Sequence, residues 1–302
     1  MEAKILITGA TGNVGSQVAR QLCERGAPPV AVIHSADKVA AVKAHCAEVR
    51  VADLREERQV ASLFKGIDKV FLVTPVTPDQ LEVGDGLIAA AAAAGVDHVV
   101  KLSFIGAEYE PGILLGRWHR HMEKMIERSG MRWTFLRPNA YMQNYLSAWG
   151  AAIGTEGKIY LPVGDGAVSY IDARDVAAAG VEALLGDGHA GRAYTLTGEV
   201  ALTNTEIAKL LSHVLQTPVE YVDVPEAAAR ASLEGAGVPE PLVSGFLELW
   251  ALQKGGGAAG VTTTYAELTG RSPRSFAQFV RDHAAAWGAE DDMQLGKAGM
   301  DG

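Results

Sequence analysis

The stretch that decides the fold is Lys4-Ile5-Leu6-Ile7-Thr8-Gly9-Ala10-Thr11-Gly12-Asn13-Val14-Gly15. A short apolar run ends in glycines, and helical spacing of apolar residues begins at Val14 and continues to Arg25, with Gly26 in the C-cap position. This reads as strand, turn, helix. Gly9 allows the tight turn, Gly12 lets backbone amides approach an anion without an intervening Cβ, and Gly15 brings helix and strand together. The unpaired amides and the dipole of the helix N-terminus favour negative charge there. Glycines placed at a strand-to-helix turn at the start of a βαβ series point to a dinucleotide pyrophosphate held by Gly9, Thr11, Gly12, Asn13, Val14 and Gly15.

Outward from this turn, short apolar runs recur at Val30 to His34, Glu48 to Ala52, Lys69 to Val73, Val99 to Ser103 and Trp133 to Arg137, with helical stretches between them. That alternation implies a parallel sheet covered on both faces. Ala89 to Ala94, followed by Gly95, reads as a helix able to lie close against the sheet. Beyond Arg137 glycine and proline crowd the chain; Arg174 to Leu185 then looks helical and Arg192 to Leu196 strand-like. Thr203 and Glu206 form a capping-box signature for a helix running to Leu215. The predicted fold is α/β, a Rossmann-type doubly wound parallel sheet with a smaller, mostly helical C-terminal substrate lobe. Residues 1–138 make the dinucleotide domain, with 167–200 returning to it; residues 139–166 and 201–289 make the lobe, and 290–302 read as a flexible tail.

The 302 residues are 48% hydrophobic and 21% charged, enough for a substantial buried core. Lys and Arg total 27 against 36 Asp and Glu, a net charge of −9 without a basic cluster, which argues against nucleic acid. Cys23 and Cys46 form neither a metal-spaced set nor a disulfide framework, so a cytoplasmic setting is expected. The apolar stretch Leu87 to Val96 is about half a bilayer span, and no membrane association is expected. Nor does the start of the chain read as a signal peptide, since Glu2 stands where a basic region would be.

The tip of the second strand reads His34-Ser35-Ala36, without the carboxylate that an NAD site places there to bind the ribose hydroxyls. His34, Ser35 and Lys38 are all able to donate to a 2′-phosphate, so NADP(H) is preferred and NAD(H) remains admissible. Asp37 is read as favouring the start of the following helix. Asp53, directly after the third strand, is placed either to contact the adenine or to start a helix. The turn looks like that of extended and atypical short-chain dehydrogenases, whose usual proton donor lies in a Tyr-x-x-x-Lys pair. None of Tyr109, Tyr141, Tyr145, Tyr160, Tyr170, Tyr194, Tyr221 or Tyr265 has a lysine four residues later.

In its place stand His119-x-x-x-Glu123, Ser129-Gly130 and Thr134-Phe135-Leu136-Arg137-Pro138, followed by Tyr170-Ile171-Asp172-Ala173-Arg174-Asp175, Gly237-Val238-Pro239-Glu240-Pro241 and Gly270-Arg271-Ser272-Pro273. In order and spacing this resembles the NmrA-like family, in particular its quinone-reductase and triphenylmethane-reductase branch, over nearly the whole chain. The resemblance implies an NAD(P)H-dependent reductase working without flavin or metal, or else a cofactor-binding redox sensor of the same family. A sugar-nucleotide epimerase would need the missing tyrosine. Without a phenol acid, the acceptors that fit are those able to stabilise the electron pair delivered by hydride: quinones, azo compounds, dyes and activated alkenes.

His119 and Glu123 lie one helical turn apart, so Glu123 is placed to orient a catalytic imidazole; an ordinary surface pair is the alternative. Thr74 and Pro75 after the fourth strand and Ser103 at the end of the fifth should line the nicotinamide half of the cleft. Phe104, Asn139 and Tyr141 suit a flat small-molecule substrate. Arg137 and Asp175 read as a structural pair. No metal site is expected, and a homodimer is admissible.

Overall fold

The computed structural model describes residues 3–288; the tail expected at 290–302 lies outside the described residues. The chain runs β1 (Ile5–Ile7), α1 (Asn13–Glu24), β2 (Val30–Ile33), α2 (Val39–Lys43), β3 (Glu48–Val51), α3 (Glu57–Leu63), β4 (Lys69–Leu72), α4 (Gln80–Ala93), β5 (His98–Leu102), α5 (Leu114–Arg128) and β6 (Arg132–Pro138). There follow α6 (Asn144–Ser147), α7 (Gly150–Glu156), β7 (Lys158–Leu161), α8 (Ala173–Leu185), β8 (Arg192–Leu196), α9 (Asn204–Leu215), β9 (Glu220–Asp223), α10 (Glu226–Gly235), α11 (Glu240–Lys254), α12 (Thr264–Thr269) and α13 (Phe276–Asp282).

Seven strands form one parallel sheet in the order β3-β2-β1-β4-β5-β6-β8, so the strand order reverses between β1 and β4. Ligands of open α/β sheets bind outside the carboxyl ends of the strands at such a reversal. β1, β2 and β4 divide their side chains between two cores. Ile5, Ile7, Ala31, Ile33 and Phe71 pack under α1 and α8, while Leu6, Val30, Val32, Val70 and Leu72 pack under α3, α4 and α5. The Thr8 hydroxyl donates to Val73 O and accepts from Val73 N, both at 2.7 Å, and ties β1 to β4 at the reversal.

The alanine-rich helix that lies closest to the sheet is not the expected Ala89–Ala94 run, of which only Ala91 is buried. That place belongs to α8, where Ala173, Ala177, Ala178, Ala179 and Ala183 are all buried and a Cβ on Gly180 would sit 2.7 Å from the Phe71 ring. The capping box at Thr203 and Glu206 forms as expected and opens α9. A third core, centred on Tyr145, Ile159, Leu211, Phe276 and Phe279, holds the lobe together. The lobe also contains a two-stranded parallel sheet, β7 with β9, that periodicity did not indicate.

Candidate functional site

The turn between β1 and α1 is shaped by backbone alone. Gly9 adopts φ +64°, and a Cβ there would meet that of Val73 at 3.0 Å. The Gly12 amide donates to Gly9 O at 3.0 Å, and a Cβ on Gly15 would lie 2.2 Å from the same carbonyl. Gly12 caps α1 with no side-chain hydrogen bond, and the first turn carries no acidic residue. The helix N-terminus therefore keeps amides and dipole open to an anion, and the residues present fit a dinucleotide pyrophosphate.

At the tip of β2, His34 is exposed and Lys38 partly so. Ser35 donates its hydroxyl to Asp37, which holds the Asp37 carboxyl below its usual range. Asp37 thus sits as a carboxylate beside the residues expected to receive a 2′-phosphate. Asp53 is exposed and accepts from Arg55 N at 3.0 Å, closing a local turn before α3.

At the ends of β4, β5 and β6 the site is made of side chains. Lys101 lies in a strand covered on both faces and is completely buried, its Nζ 3.0 Å from Leu102 O and 2.9 Å from His119 Nδ1. Burial pushes the lysine down to about 7, with Glu123 partly opposing the shift. The same burial, with the lysine charge adjacent, holds His119 well below its ordinary value. The imidazole is therefore uncharged at neutral pH. Phe104 stacks on it, ring centroids 6.0 Å apart, and Gln80 Nε2 lies 3.4 Å from Nε2 and donates to Thr74 Oγ1 at 3.1 Å.

Glu123 does not orient His119, in contrast to the reading from helical spacing. It is wholly buried, accepting from Ser103 Oγ at 2.6 Å, from Arg137 at 3.0 and 2.8 Å and from Arg120 at 3.0 Å. Burial alone would raise its carboxyl; the Arg137 and Ser103 hydrogen bonds outweigh it and keep the group ionised. Four residues along α5 place both side chains on one side of the helix, but Arg137 on β6 and Arg120 on α5 claim Glu123 and the lysine on β5 claims His119. Nor does Arg137 pair with Asp175: Arg137 bridges Glu108 and Glu123, and Asp175 pairs with Arg274.

The profile of the NmrA-like family matches residues 1–264. The chain belongs to this family. It is 42% identical over 285 residues to the NAD(P)H azoreductase of Xenophilus azovorans, covering 94% of this chain and 99% of that protein. It is 40% identical over 290 residues to the (4-alkanoyl-5-oxo-2,5-dihydrofuran-3-yl)methyl phosphate reductase of Streptomyces griseus, covering 95% and 100%. The crystal structure of the Escherichia coli NADPH-dependent quinone oxidoreductase complexed with NADPH superposes with a TM-score of 0.82 at 30% identity, covering 93% of this chain and 99% of that one.

In this NmrA-like chain the remaining expected residues divide. Thr74, Pro75, Phe104 and His119 gather at the ends of β4 and β5, with Thr74 joined to His119 through Gln80. Ser103 directly follows β5, but its hydroxyl is spent on Glu123. Tyr141 bridges to Ile171 and packs on the sheet core, and burial raises its phenol above the ordinary value. Asn139 is buried, its amide donating to Ser169 Oγ and Ala258 O and accepting from Ala140 N, so it joins β6 to the lobe. Sequence reasoning missed Lys101 and Gln80. For Lys101 a signal existed: a charged residue inside Val99-Val100-Lys101-Leu102, in a parallel strand buried on both sides. Among the described residues no helix is long and apolar enough to cross a membrane, and no cluster of His, Cys, Asp and Glu is arranged to hold a metal.

Proposed function

We propose that this protein is an NAD(P)H-dependent reductase that passes hydride directly to a quinone-like, azo or other electron-poor conjugated acceptor, with NADPH preferred. The observation that carries the reading is the pairing of an open, glycine-built anion seat with a cleft end that has His119 and Phe104 but no Tyr-x-x-x-Lys acid. Its relatives reduce, by their names, an azo compound, a conjugated dihydrofuranone and a quinone, all acceptors with delocalised π systems. The free thiols Cys23 and Cys46 fit a reducing compartment.

Residues 1–138 with 167–200 serve as the dinucleotide half, and 139–166 with 201–289 as the lobe facing the acceptor. The amides of Gly9 to Gly15 hold the pyrophosphate; His34, Ser35 and Lys38 face the ribose phosphate, and Asp53 the adenine. Thr74, Pro75 and the Ser103 backbone border the nicotinamide, which supplies the hydride when bound. Phe104 and Tyr141 offer flat apolar surface to the acceptor, and His119 acts on it with a neutral imidazole. The protein's task is to align the two π systems and exclude water.

NADPH oxidation against a panel of quinones, azo dyes and activated alkenes tests the reading, and no turnover with any of them would sink it. His119→Ala should lower kcat by about 100-fold, within the range of general acid–base effects, with the Kd for NADPH unchanged.

A further inference from the structure

Lys101 has no place in the reductase reading above, yet a fully buried ammonium is costly to keep in a sheet interior. Its Nζ contacts are the Leu102 carbonyl and the imidazole of His119. We propose that Lys101 and His119 form a proton relay: His119 Nε2 delivers a proton to the acceptor atom conjugated with the one that takes up hydride, and Lys101 Nζ replaces that proton at Nδ1.

The inference rests on the reductase reading and gives it a substrate consequence. Hydride adds two electrons and one proton's worth of hydrogen. A cationic triphenylmethane dye becomes neutral on hydride addition and needs nothing more. An azo group or a quinone becomes an anion at nitrogen or oxygen and needs one proton for a neutral product. In the relay the His119 Nε2–H bond breaks as the new N–H or O–H bond forms on the acceptor. The Lys101 Nζ–H bond breaks as Nδ1–H forms, which leaves a neutral amine and a neutral imidazole of the other tautomer. After product leaves, a solvent proton entering at Nε2 runs the same steps backwards and recharges the lysine.

The neighbouring groups suit both states. With Lys101 charged, Nδ1 accepts and the ring proton sits on Nε2; with Lys101 neutral, Nδ1 carries the proton and Nε2 accepts. Gln80 Nε2 is placed to donate to Nε2 in the second state. Its Oε1 is buried without a partner among the described residues, and a half-turn of the amide would present it to an Nε2 proton in the first. Of the charged groups nearby, Glu123 on α5 is ionised and favours a charged lysine; Arg120 on α5, Arg137 on β6 and Glu108 in the loop after β5 are paired around Glu123. From β4 and α4 the neighbours Thr74 and Gln80 are uncharged. A lysine poised near 7 keeps both states populated at neutral pH.

Nitrogen-15 NMR of the His119 ring, assigned by the signals lost in His119→Gln, tests the relay without turnover. In the wild type the two ring nitrogens should exchange protonated and unprotonated shifts with a midpoint near 7, and Lys101→Met should abolish the exchange. A ring that keeps one tautomer through neutrality overturns the relay, and this arm does not depend on whether Lys101→Met folds. In steady state, the ratio of azo-dye kcat to triphenylmethane-dye kcat should fall about tenfold in Lys101→Met; azo reduction by the wild type should decline above about pH 7, and Lys101→Met should lack that decline; an unchanged ratio counts against the relay. If the wild type turns over no acceptor, the reductase reading fails and the NMR titration alone decides whether the relay exists.

Discussion

At the start of α1 the cleft is backbone: glycines, open amides and a helix end capped by no side chain. Along the middle of α5 and at the ends of β5 and β6 it is side chain around two buried charges: Lys101 against His119, and Glu123 among Ser103, Arg120 and Arg137. The two ends are set by different physics. The anion seat depends on the absence of atoms, because any Cβ would fill the space an incoming phosphate or the strand needs. The end at β5 and β6 depends on the presence of charges that must be neutralised once water is gone. One consequence is that the first end should be damaged by adding a methyl group, the second by removing a partner.

The largest effect should come from Glu123→Ala. It leaves Arg137 and part of Arg120 without their buried carboxylate and should lower unfolding stability by about 3 kcal/mol, read by denaturant titration, while NADPH still binds to the residual folded protein. Loss of NADPH binding in the folded variant would merge the two ends into one unit. Next is Gly15→Ala, whose Cβ would lie 2.2 Å from Gly9 O. It should cost about 2 kcal/mol in stability and weaken NADPH binding by roughly tenfold or more, with the His119 NMR signals unmoved; calorimetry and the ring spectrum check the two halves.

A smaller, pH-dependent effect separates the ends by sign. Lys101 titrates near 7 in the folded protein against an ordinary value of 10.5. Between these values the unfolded chain holds a proton that the native protein has released, so stability attributable to this group rises with pH across the window. Below about 7 both states carry the proton and the burial cost is felt in full. The stability of Lys101→Met relative to wild type should therefore be greatest below about pH 7 and decline toward pH 10.5; a difference independent of pH would place the charge elsewhere. The smallest effect concerns Asp37, a carboxylate beside the residues proposed to face the ribose phosphate. Asp37→Asn should raise the NADPH to NADH preference in kcat/KM by a few-fold, and no change would remove Asp37 from cofactor selection.

The same contrast explains which parts of the molecule were legible beforehand. The β1 turn could be read because each glycine's role follows from its local position between strand and helix, and nothing distant is needed to assign it. The fold followed, since alternating apolar runs and helices admit few topologies. The close-packed helix is read at Ala89–Ala94 and found at α8, because composition reports small side chains but not which helix crosses the sheet. Spacing offers His119 and Glu123 as a pair, catalytic or ordinary, and the structure gives them separate partners. Spacing along one helix places residues side by side, but it does not reveal that β6 brings Arg137 to one of them and β5 brings Lys101 to the other. Asn139 looked suited to a substrate by residue type alone, and its amide is taken by Ser169 and Ala258, 30 and 119 residues later in the chain.

What this amino-acid sequence determined unaided is a parallel α/β sheet with an anion seat at its first turn, because glycine spacing and hydrophobic period act over a few neighbouring residues. The partners of the buried charges were decided by tertiary structure alone. An ammonium or a carboxylate removed from water takes the nearest compensating group in space, and strand order, not chain distance, chooses which group that is.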